Sequence, residues 1–334
     1  MNIAVVILNW NGKTILEEFL PSVVTHSKEA KIYLADNAST DNSVTYVSKT
    51  FPEINIIQNQ TNGGYAKGYN DALAKIEADI YCLINSDIEV TENWLTPIIE
   101  TFQNAQEVAA IQPKILDYKK KTHFEYAGAA GGFIDKLGYP YCRGRIFDTL
   151  EEDLGQYNNA SEIFWASGAC LFVRKSVFDE VGKLDEDFFA HQEEIDLCWR
   201  IQNQGHKILY NDKSTVYHLG GATLDTMNPK KTYLNFRNSL YLLLKNVSGN
   251  KVWFILIIRM ILDGIAGAKF IFEGRFSHFV AIIKAHFSFY YNFPKFIKKR
   301  KKTSGKKKYY VISSVVWQYY ILKKKLFNQL TPVR

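Results

Sequence analysis

The chain lacks any apolar run long enough to cross a bilayer. A spanning helix needs about 20 consecutive apolar residues, and the most apolar segment, residues 252–272, is interrupted by Arg259, Asp263 and Lys269. Its longest unbroken apolar run is residues 252–258. We therefore expect this segment to form an amphipathic helix in the plane of a membrane surface, or a helical hairpin.

The N-terminus also lacks the features of a signal peptide. Residues 1–8 have neither a basic flank nor a long apolar core, so we expect them to form a first strand in a protein of the reducing cytosol. Cysteine is scarce, and no two cysteines have the spacing of a metal site, which favours free thiols in the core. The four cysteines are Cys82, Cys142, Cys170 and Cys198.

Acidic residues are missing from the end of the chain. Residues 293–334 contain 13 of the 41 Lys and Arg but none of the 34 Asp and Glu, so the rest has 28 basic and 34 acidic residues. The net charge of +7 therefore belongs to the tail, and we expect no nucleic-acid partner because the chain is not basic throughout. Lysine clusters beside aromatic segments attract anionic lipid head groups. We expect the basic C-terminal tail to bind an anionic membrane surface; the alternative is a solvated tail.

Apolar runs alternate with segments of helical period. Strands are predicted at residues 3–8, 32–35, 54–57 and 80–84, with helices at 13–25, 40–49 and 65–76. This order predicts an α/β fold of Rossmann-like type, with a mostly parallel sheet flanked by helices. The alternation weakens after Pro113. We expect one domain over residues 1–225, with a loop-rich insertion at 113–165, and a second, helical region over 226–334.

Polar residues follow the predicted strands, and ligands bind at the edge where the carboxyl ends of parallel strands meet. The groups expected at this edge are Asn9-Trp10-Asn11, Asp36-Asn37, residues 59–64 and Asn85-Ser86-Asp87. Asp36 accepts hydrogen bonds only, which suits a base with a ring N–H such as uracil, thymine or guanine; the alternative is a helix N-cap. The turn at residues 62–70 is rich in glycine and suits a phosphate, but it matches neither a dinucleotide fingerprint nor a P-loop.

Acidic residues and a histidine suggest catalysis and metal binding. Asp87 has the hard oxygen ligands that suit Mg²⁺ or Mn²⁺ bridging a diphosphate; the alternative is a polar turn. Glu193 and Glu194 begin a predicted helix, where a carboxylate near like charges has a raised pKa and can act as a general base; the alternative is an acidic first turn that complements the helix dipole. His218 is either a metal ligand or a hydrogen-bonded structural histidine.

Together these segments resemble the family 2 inverting glycosyltransferases of the GT-A fold, most closely the subgroup that transfers rhamnose and related sugars in surface-polysaccharide assembly. They follow the family's order over about two-thirds of the chain. The matching segments are VVILNWN at residues 5–11, DNASTD at 36–41, NGGYAKGYN at 62–70, NSD at 85–87, WASGA at 165–169, EEIDL at 193–197 and HLGGAT at 218–223.

The resemblance implies a role for each segment. The implied donor-binding residues are Leu8, Asn9, Trp10, Asn11, Asp36, Asn37, Asn62, Gly63, Lys67, Asn85 and Ser86. The residues implied to face the sugar and the acceptor, as the insertion would, are Trp165, Ser167 and Gly168. Asp87 and His218 would bind the metal. Glu194 would be the general base, with Glu193 as the second choice.

Two residues depart from the family's pattern. Asn85 stands where the family often has Asp, which leaves Asp87 as the metal-binding acid of its triplet. Glu194 stands where the family usually has Asp, which lengthens the reach of the base by one methylene.

The implied activity is metal-assisted, inverting transfer of a sugar, rhamnose by resemblance to the subgroup, from a UDP- or dTDP-activated donor. The acceptor would be a hydroxyl of a saccharide or a lipid-linked molecule, and the expected location is cytoplasmic, peripheral on the inner face of the cell membrane. One alternative is a sugar nucleotidyltransferase, but residues 9–13 fit its basic, glycine-rich loop poorly. The other is a non-catalytic membrane-docked sugar-binding scaffold, which the presence of every required carboxylate and histidine disfavours.

Overall fold

The first 85 residues alternate strands and helices, as the sequence predicts. The computed structural model describes residues 1–220, 228–300 and 308–333. The first elements are β1 (Ile3–Asn9), α1 (Lys13–His26), β2 (Lys31–Asp36), α2 (Ser43–Thr50), β3 (Asn55–Gln58), α3 (Gly64–Leu73) and β4 (Ile80–Asn85). Residues 3–8 of β1 are all apolar because α1 covers one face of the strand and α3 covers the other.

The middle of the chain adds shorter strands, many of them in the predicted insertion. Its elements are β5 (Ile88–Val90), α4 (Thr96–Asn104), β6 (Val108–Asp117), β7 (Gly132–Ile134), β8 (Pro140–Cys142), β9 (Arg145–Ile146), β10 (Thr149–Leu150), β11 (Ser161–Glu162), β12 (Cys170–Arg174), α5 (Lys175–Glu180), α6 (Glu193–Asn203) and β13 (Lys207–His218). Strands β7 to β10 form a small antiparallel sheet of their own. The insertion is therefore rich in loops and short strands, as expected.

The main sheet of the described residues is mixed. Its order is β11-β13-β6-β12-β4-β1-β2-β3, with β5 paired to β13. The prediction of a mostly parallel sheet holds for β4-β1-β2-β3 and for β6 with β13. It is corrected for β12, which is antiparallel to β4 and β6, and for β5 and β11. Strand β12 starts at the edge where β4 ends, since the Asn85 N–H donates to Ala169 O, and it must therefore run back.

Strand β6 continues through Pro113, where the alternation was expected to weaken. Pro113 lies opposite Asn211 of β13, and the register of the two strands shifts between Asn211 and Thr215. An irregularity of this kind accommodates proline, which has no amide hydrogen to donate. Strand β13 also continues across this irregularity, so residues 207–218 form one strand.

The C-terminal region is helical, as predicted, and consists of α7 (Pro229–Asn246), α8 (Lys251–Phe272) and α9 (Phe276–Lys299). Residues 252–272 form a single helix, the first of the two expected alternatives, and not a hairpin of their own. Helices α8 and α9 contact each other, and both contact α7. Among the described residues, no helix combines the length and the apolar character that crossing a membrane requires. Four lysines of the basic tail lie outside the described residues: Lys301, Lys302, Lys306 and Lys307.

A buried ion network joins α6 to α7. The carboxylate of Asp196 accepts hydrogen bonds from Arg200, Lys245 and Asn246, each at 2.8 Å. Lys245 also binds Asp185 at 2.7 Å. Burial alone would raise the pKa of Asp196, but Arg200 and Lys245 outweigh that effect and hold the pKa below its ordinary value. The helical region thus shares a buried charge cluster with the first domain.

Removal of the Asp196 carboxylate should destabilise this junction. We expect Asp196→Ala to lower the free energy of unfolding by about 3–5 kcal/mol, because the cations around it lose their partner in a buried place. The exposed Asp148 provides the control, and Asp148→Ala should change stability by less than about 0.5 kcal/mol. Denaturant titration measures both variants; equal, small losses would contradict a structural role for the cluster.

Candidate functional site

A buried amide ties the ends of β1 and β2 together. Asn9 Nδ2 donates to Asp36 Oδ1 at 3.0 Å, to Ser39 Oγ at 3.1 Å and to Ser43 Oγ at 2.9 Å. The backbone N–H of Ser39 donates to Asp36 Oδ2 at 3.0 Å. Asp36 is buried, and its hydrogen bonds fix the loop that follows β2. Each of its carboxylate oxygens can accept a second hydrogen bond. Its contact with a nucleotide base stays a prediction.

The residues that follow β1 lie at the edge of the sheet where β1 and β2 end. Asn11 has a φ of 51°, a left-handed conformation that asparagine tolerates better than most residues. Its Oδ1 accepts the backbone N–H of Thr40 at 2.7 Å, and its own N–H donates to Ser39 Oγ at 2.9 Å. Trp10 is 50% exposed and Leu8 is partly buried behind it. The loop is thus fixed by polar contacts, and the indole of Trp10 is open to a stacking partner.

Asn37 fixes the glycine-rich turn beside β2. Asn37 Nδ2 donates to Asn62 Oδ1 at 2.9 Å and to Gly64 O at 3.1 Å. Gly64 has a φ of 81°, which favours glycine. Lys67 binds Asp71 at 2.8 Å on the surface of α3, so its ammonium already has a partner. The predicted contact of Lys67 with a donor therefore requires this surface ion pair to open.

The end of β4 meets the end of β13 through a buried pair. Asp87 Oδ1 lies 3.2 Å from His218 Nε2, and Glu125 Oε2 lies 3.2 Å from His218 Nδ1. All three side chains are buried. Burial alone would lower the pKa of His218, but the two carboxylates outweigh this effect and raise the pKa to about 10. The imidazolium therefore balances the negative charge of both acids.

Asp87 and His218 can also hold a divalent cation, provided that the imidazolium releases its Nε2 proton, because only the neutral ring has a lone pair for a metal. Neighbouring ligands of an octahedral ion at about 2.1 Å lie about 3 Å apart, close to the 3.2 Å between these two side chains. Asn85 Nδ2 lies 3.4 Å from His218 Nε2, and Ser86 is partly buried between Asn85 and Asp87. Within the part of the chain that the structure describes, no three His, Cys, Asp or Glu side chains form a complete metal site. The described residues thus offer two ligands.

Glu125 is a residue of this site that the sequence did not single out. A histidine that binds metal through one nitrogen commonly donates from the other to a carboxylate, and Glu125 has this position. Its Oε2 also accepts the backbone N–H of Ala127 at 2.5 Å. Glu125 lies in the insertion, where no spacing relates it to His218. The sequence feature that could have identified Glu125 is that it is the one charged residue in residues 124–134.

Glu193 and Glu194 form the first turn of α6. Glu193 is buried and Glu194 is partly exposed. In each carboxylate, one buried oxygen has no hydrogen-bond partner among the described residues. Burial raises the pKa of Glu194 to about 7, and burial together with the charge of Glu194 raises the pKa of Glu193 well above its ordinary value. Glu194 combines access with a pKa near neutrality, which suits a general base.

Residues 165–169 contact both the end of β4, near Asp87 and His218, and the start of α6, where the glutamates lie. The N–H of Asn85 donates to Ala169 O at 3.0 Å, and a Cβ added at Gly168 would lie 3.7 Å from Glu194 Cβ. Tyr65 Oη donates to Gly168 O at 2.6 Å. The backbone of this segment therefore lies between the end of β4 and the start of α6.

Trp165 and Ser167 lie deeper than the resemblance implies. The indole of Trp165 is 2% exposed, packs on Gly132 and donates from Nε1 to Phe133 O at 2.8 Å. Ser167 is buried, and its backbone N–H donates to Gln112 Oε1 at 2.8 Å. These contacts give both residues a packing role, and their contact with a bound sugar stays a prediction.

Helix α7 holds the loop that leads into α6. Three non-glycine residues of this loop have positive φ, a conformation that costs energy; they are Phe189 at 66°, His191 at 70° and Gln192 at 69°. Asn238 Nδ2 of α7 donates to the carbonyl oxygens of residues 188, 190 and 191 at 3.0, 2.9 and 2.7 Å. Gln192 Nε2 in turn donates to Asn235 O at 3.1 Å. The strained backbone next to the glutamates is therefore fixed from α7.

Comparisons with known proteins add the relatives of this site. A sequence model of the family described as Glycosyl transferase family 2 matches residues 4–182. An N-acetylglucosaminyl-diphospho-decaprenol L-rhamnosyltransferase of Mycobacterium tuberculosis is 25% identical over 222 residues, which cover 61% of this chain and 71% of that protein. A dTDP-rhamnosyl transferase of Shigella flexneri is 23% identical over 263 residues, which cover 73% of this chain and 81% of that protein.

A solved structure shares the fold. The crystal structure of GalNAc-T7 with UDP, GalNAc and Mn²⁺ superimposes with a TM-score of 0.58 and 16% sequence identity, over 75% of this chain and 49% of that one. The present chain thus spans about half the length of that protein. At this identity the likeness concerns the architecture of the sheet and its helices.

The buried charge of Glu194 should reduce stability above neutral pH. Its pKa is about 7 in the folded protein, against an ordinary value of 4.5. The folded state therefore keeps the proton longer, and stability that is full below the ordinary pKa is lost as the pH rises through the folded value. We expect Glu194→Gln to raise the free energy of unfolding at pH 8 by on the order of 2 kcal/mol and to have little effect at pH 5. Thermal unfolding at the two pH values measures this; an unchanged stability at pH 8 would contradict the burial of the charge.

Proposed function

Because the chain belongs to glycosyl transferase family 2 and is a glycosyltransferase of the GT-A fold, we propose that it moves a sugar from a nucleotide donor to a hydroxyl of a saccharide or lipid-linked acceptor, with inversion. The observation that carries the proposal is the arrangement of the cleft edge. Segment 165–169 lies next to both the Asp87–His218 pair and Glu194, since Ala169 O accepts the N–H of Asn85, two residues before Asp87, and Gly168 lies next to Glu194. A supported leaving group and a base on opposite sides are what a single displacement requires.

The proposed donor is a rhamnose nucleotide of dTDP or UDP. Two relatives are named for rhamnose transfer, one of them for dTDP-rhamnose. Asp36 would accept the ring N–H of thymine or uracil, which cytosine lacks. Asn9, Asn11 and Trp10 would line the same pocket. Asn62 and Gly63 would lie beside the ribose and the diphosphate.

The proposed cofactor is Mg²⁺ or Mn²⁺, held by Asp87 and His218. A structural neighbour was solved with UDP and Mn²⁺. When bound, such an ion offsets the negative charge that develops on the leaving diphosphate. Glu125 would accept the Nδ1–H of neutral His218 and so leave Nε2 unprotonated for the ion. Asn85 supplies no carboxylate to this edge, so we expect little affinity for the metal in the absence of the nucleotide.

The proposed base is Glu194. Its carboxylate takes the proton of the acceptor hydroxyl as that oxygen bonds to the anomeric carbon and the bond from this carbon to the diphosphate oxygen breaks. Position 168 next to this carboxylate favours glycine, because a Cβ there would lie 2.9 Å from Tyr65 Oη. Glu193 is buried more deeply, and burial together with the charge of Glu194 raises its pKa well above the ordinary value. The structure thus favours Glu194 over Glu193 for this role.

The proposed location is the inner face of the cell membrane, with a lipid-linked acceptor. The M. tuberculosis relative is named for a diphospho-decaprenol substrate, and the basic tail suits an anionic surface. Part of the tail has a second role: Lys295 binds Asp187, and Lys299 binds both Asp185 and Asp187, at 2.5 Å each. These lysines fasten α9 to the first domain, so the attraction to lipid would come from the other basic residues of the tail.

The base assignment predicts a separation of catalysis from binding. We expect Glu194→Gln to lower kcat by at least about 100-fold, the usual contribution of a general base, and to leave the affinity for dTDP or UDP within about twofold. Glu193→Gln is the matched control and should keep most of the activity. Product formation and calorimetric nucleotide binding measure the two quantities. The opposite ranking of the two variants would transfer the role to Glu193.

The metal assignment predicts a loss of metal-dependent nucleotide binding. Calorimetry with dTDP or UDP in Mn²⁺ should show at least about tenfold weaker binding for Asp87→Ala, because a charged ligand of the ion is gone. Glu89→Ala is the control, since that carboxylate is paired with Lys121 at the surface. Binding of Mn²⁺ alone to the wild type should be weak. Nucleotide binding that is equally strong in Asp87→Ala and in EDTA-treated wild type would overturn the assignment.

A further inference from the structure

The polarity of helix α8 is the reverse of that of an ordinary surface helix. Its ionic residues Arg259 and Asp263 are buried against the rest of the protein and bind each other at 3.0 Å. The guanidinium of Arg259 lies 3.8 Å from the centre of the Tyr139 ring, and His286 of α9 lies 3.2 Å from the Asp263 carboxylate. The polar side of α8 therefore faces inward, where it fastens α8 and α9 to the insertion.

The side of α8 that faces outward is apolar. Between Lys251 and Lys269, no charged residue of the helix is exposed. The exposed large side chains of α8 are Trp253, Phe254, Ile257, Ile261, Ile265, Ile271 and Phe272. They extend over about 28 Å of helix at 1.5 Å per residue. An apolar strip of this length on the surface requires a partner, because isolated soluble proteins rarely expose such a patch.

Neighbouring elements widen this strip into a surface. Helix α9 exposes Phe287, Tyr290 and Tyr291, and Tyr290 Oη donates to Met260 Sδ of α8 at 3.2 Å. On the other side, Lys269 Nζ lies 5.8 Å from the centre of the Tyr320 ring. Tyr320 belongs to a short segment whose exposed side chains are Trp317, Tyr320, Ile321 and Leu322. We call the exposed apolar side chains of α8, α9 and residues 317–322 the apolar face.

The charges around the apolar face are predominantly positive. Its exposed lysines are Lys251, Lys269, Lys284, Lys298, Lys323 and Lys325. Glu273, the acidic residue at the end of α8, is paired with Lys269 and Arg275. A rim of lysine around exposed aromatic and aliphatic side chains matches an anionic lipid surface, in which the rings lie at the head groups and the cations bind phosphate.

We propose that the apolar face inserts into the interface of an anionic lipid bilayer and holds α8 in the plane of the membrane. This deepens the peripheral location proposed above and assigns the attachment to a folded surface in addition to the tail. Lipid binding is measured without sugar transfer, so the two proposals fail separately. A second copy of the chain is a weaker partner, because a symmetric contact would bring two lysine rims together.

The test is co-sedimentation of the full chain with vesicles. The wild type should bind vesicles of phosphatidylcholine with phosphatidylglycerol more tightly than vesicles of phosphatidylcholine alone, and added salt should weaken the binding. We expect Ile261→Glu and Ile265→Glu to weaken binding at least about tenfold each, since a carboxylate is costly below the head groups. Both residues are 61% exposed, so the folded state loses little.

Leu154→Glu provides the matched control. Leu154 is 79% exposed in the insertion, away from the apolar face, and its replacement should leave vesicle binding unchanged. Thermal unfolding and transfer to a water-soluble acceptor should be the same in all three variants as in the wild type. Vesicle binding by Ile261→Glu and Ile265→Glu equal to that of the wild type would overturn the proposal. The proposal would also be overturned if the wild type forms a dimer that does not bind vesicles and the two variants are monomeric. That result would assign the apolar face to contact with a second copy.

Discussion

The hydrogen bonds from α7 to the loop before α6 are the constraint on which the position of Glu194, the proposed base, depends. The backbone of residues 189–192 adopts left-handed conformations at three non-glycine positions, and these persist because Asn238 binds the carbonyls around them. The ion pair of Asp196 with Lys245 also fixes α6, the helix that follows this loop, against α7. The helical region beyond residue 225 therefore shapes the place of Glu194, and it belongs to the site as well as to the proposed membrane surface.

Much of the fold followed from the sequence because its signals are local. Apolar runs bounded by polar residues predicted β1 to β4, and the rule that ligands bind beyond the carboxyl ends of strands grouped Asn9, Asp36 and Asp87 at one edge. The structure places Asn9 opposite Asp36, to which it is hydrogen-bonded, and Leu8 opposite Asn85, so β1, β2 and β4 end at one edge. The roles of these residues with substrate stay predictions. Family membership and the relatives in rhamnose transfer confirm the resemblance.

What the sequence did not predict depends on contacts between distant residues. The direction of β12 follows from where residues 165–169 lie, and Glu125 gained its place beside His218 only through the fold of the insertion. The motif of Trp165 did not indicate that its ring packs beside Gly132, and its contact with a sugar stays a prediction. The charges of α8 appeared to interrupt an apolar helix, whereas burial of Arg259 with Asp263 leaves the outward side without charge.

Buried and exposed charges have different partners in this chain. The acids buried in the site either lie beside the positive charge of His218 or have a raised pKa, which favours their uncharged form. The lysines of the tail bind α9 to the first domain and lie around the apolar face.

The most direct test of the account is the anomeric configuration of the product formed from dTDP-rhamnose or a UDP-sugar in Mn²⁺, read by NMR. The account predicts a glycoside whose anomeric configuration is opposite to that of the donor, from a single displacement with Glu194 as base. A product that retains the configuration of the donor would contradict it.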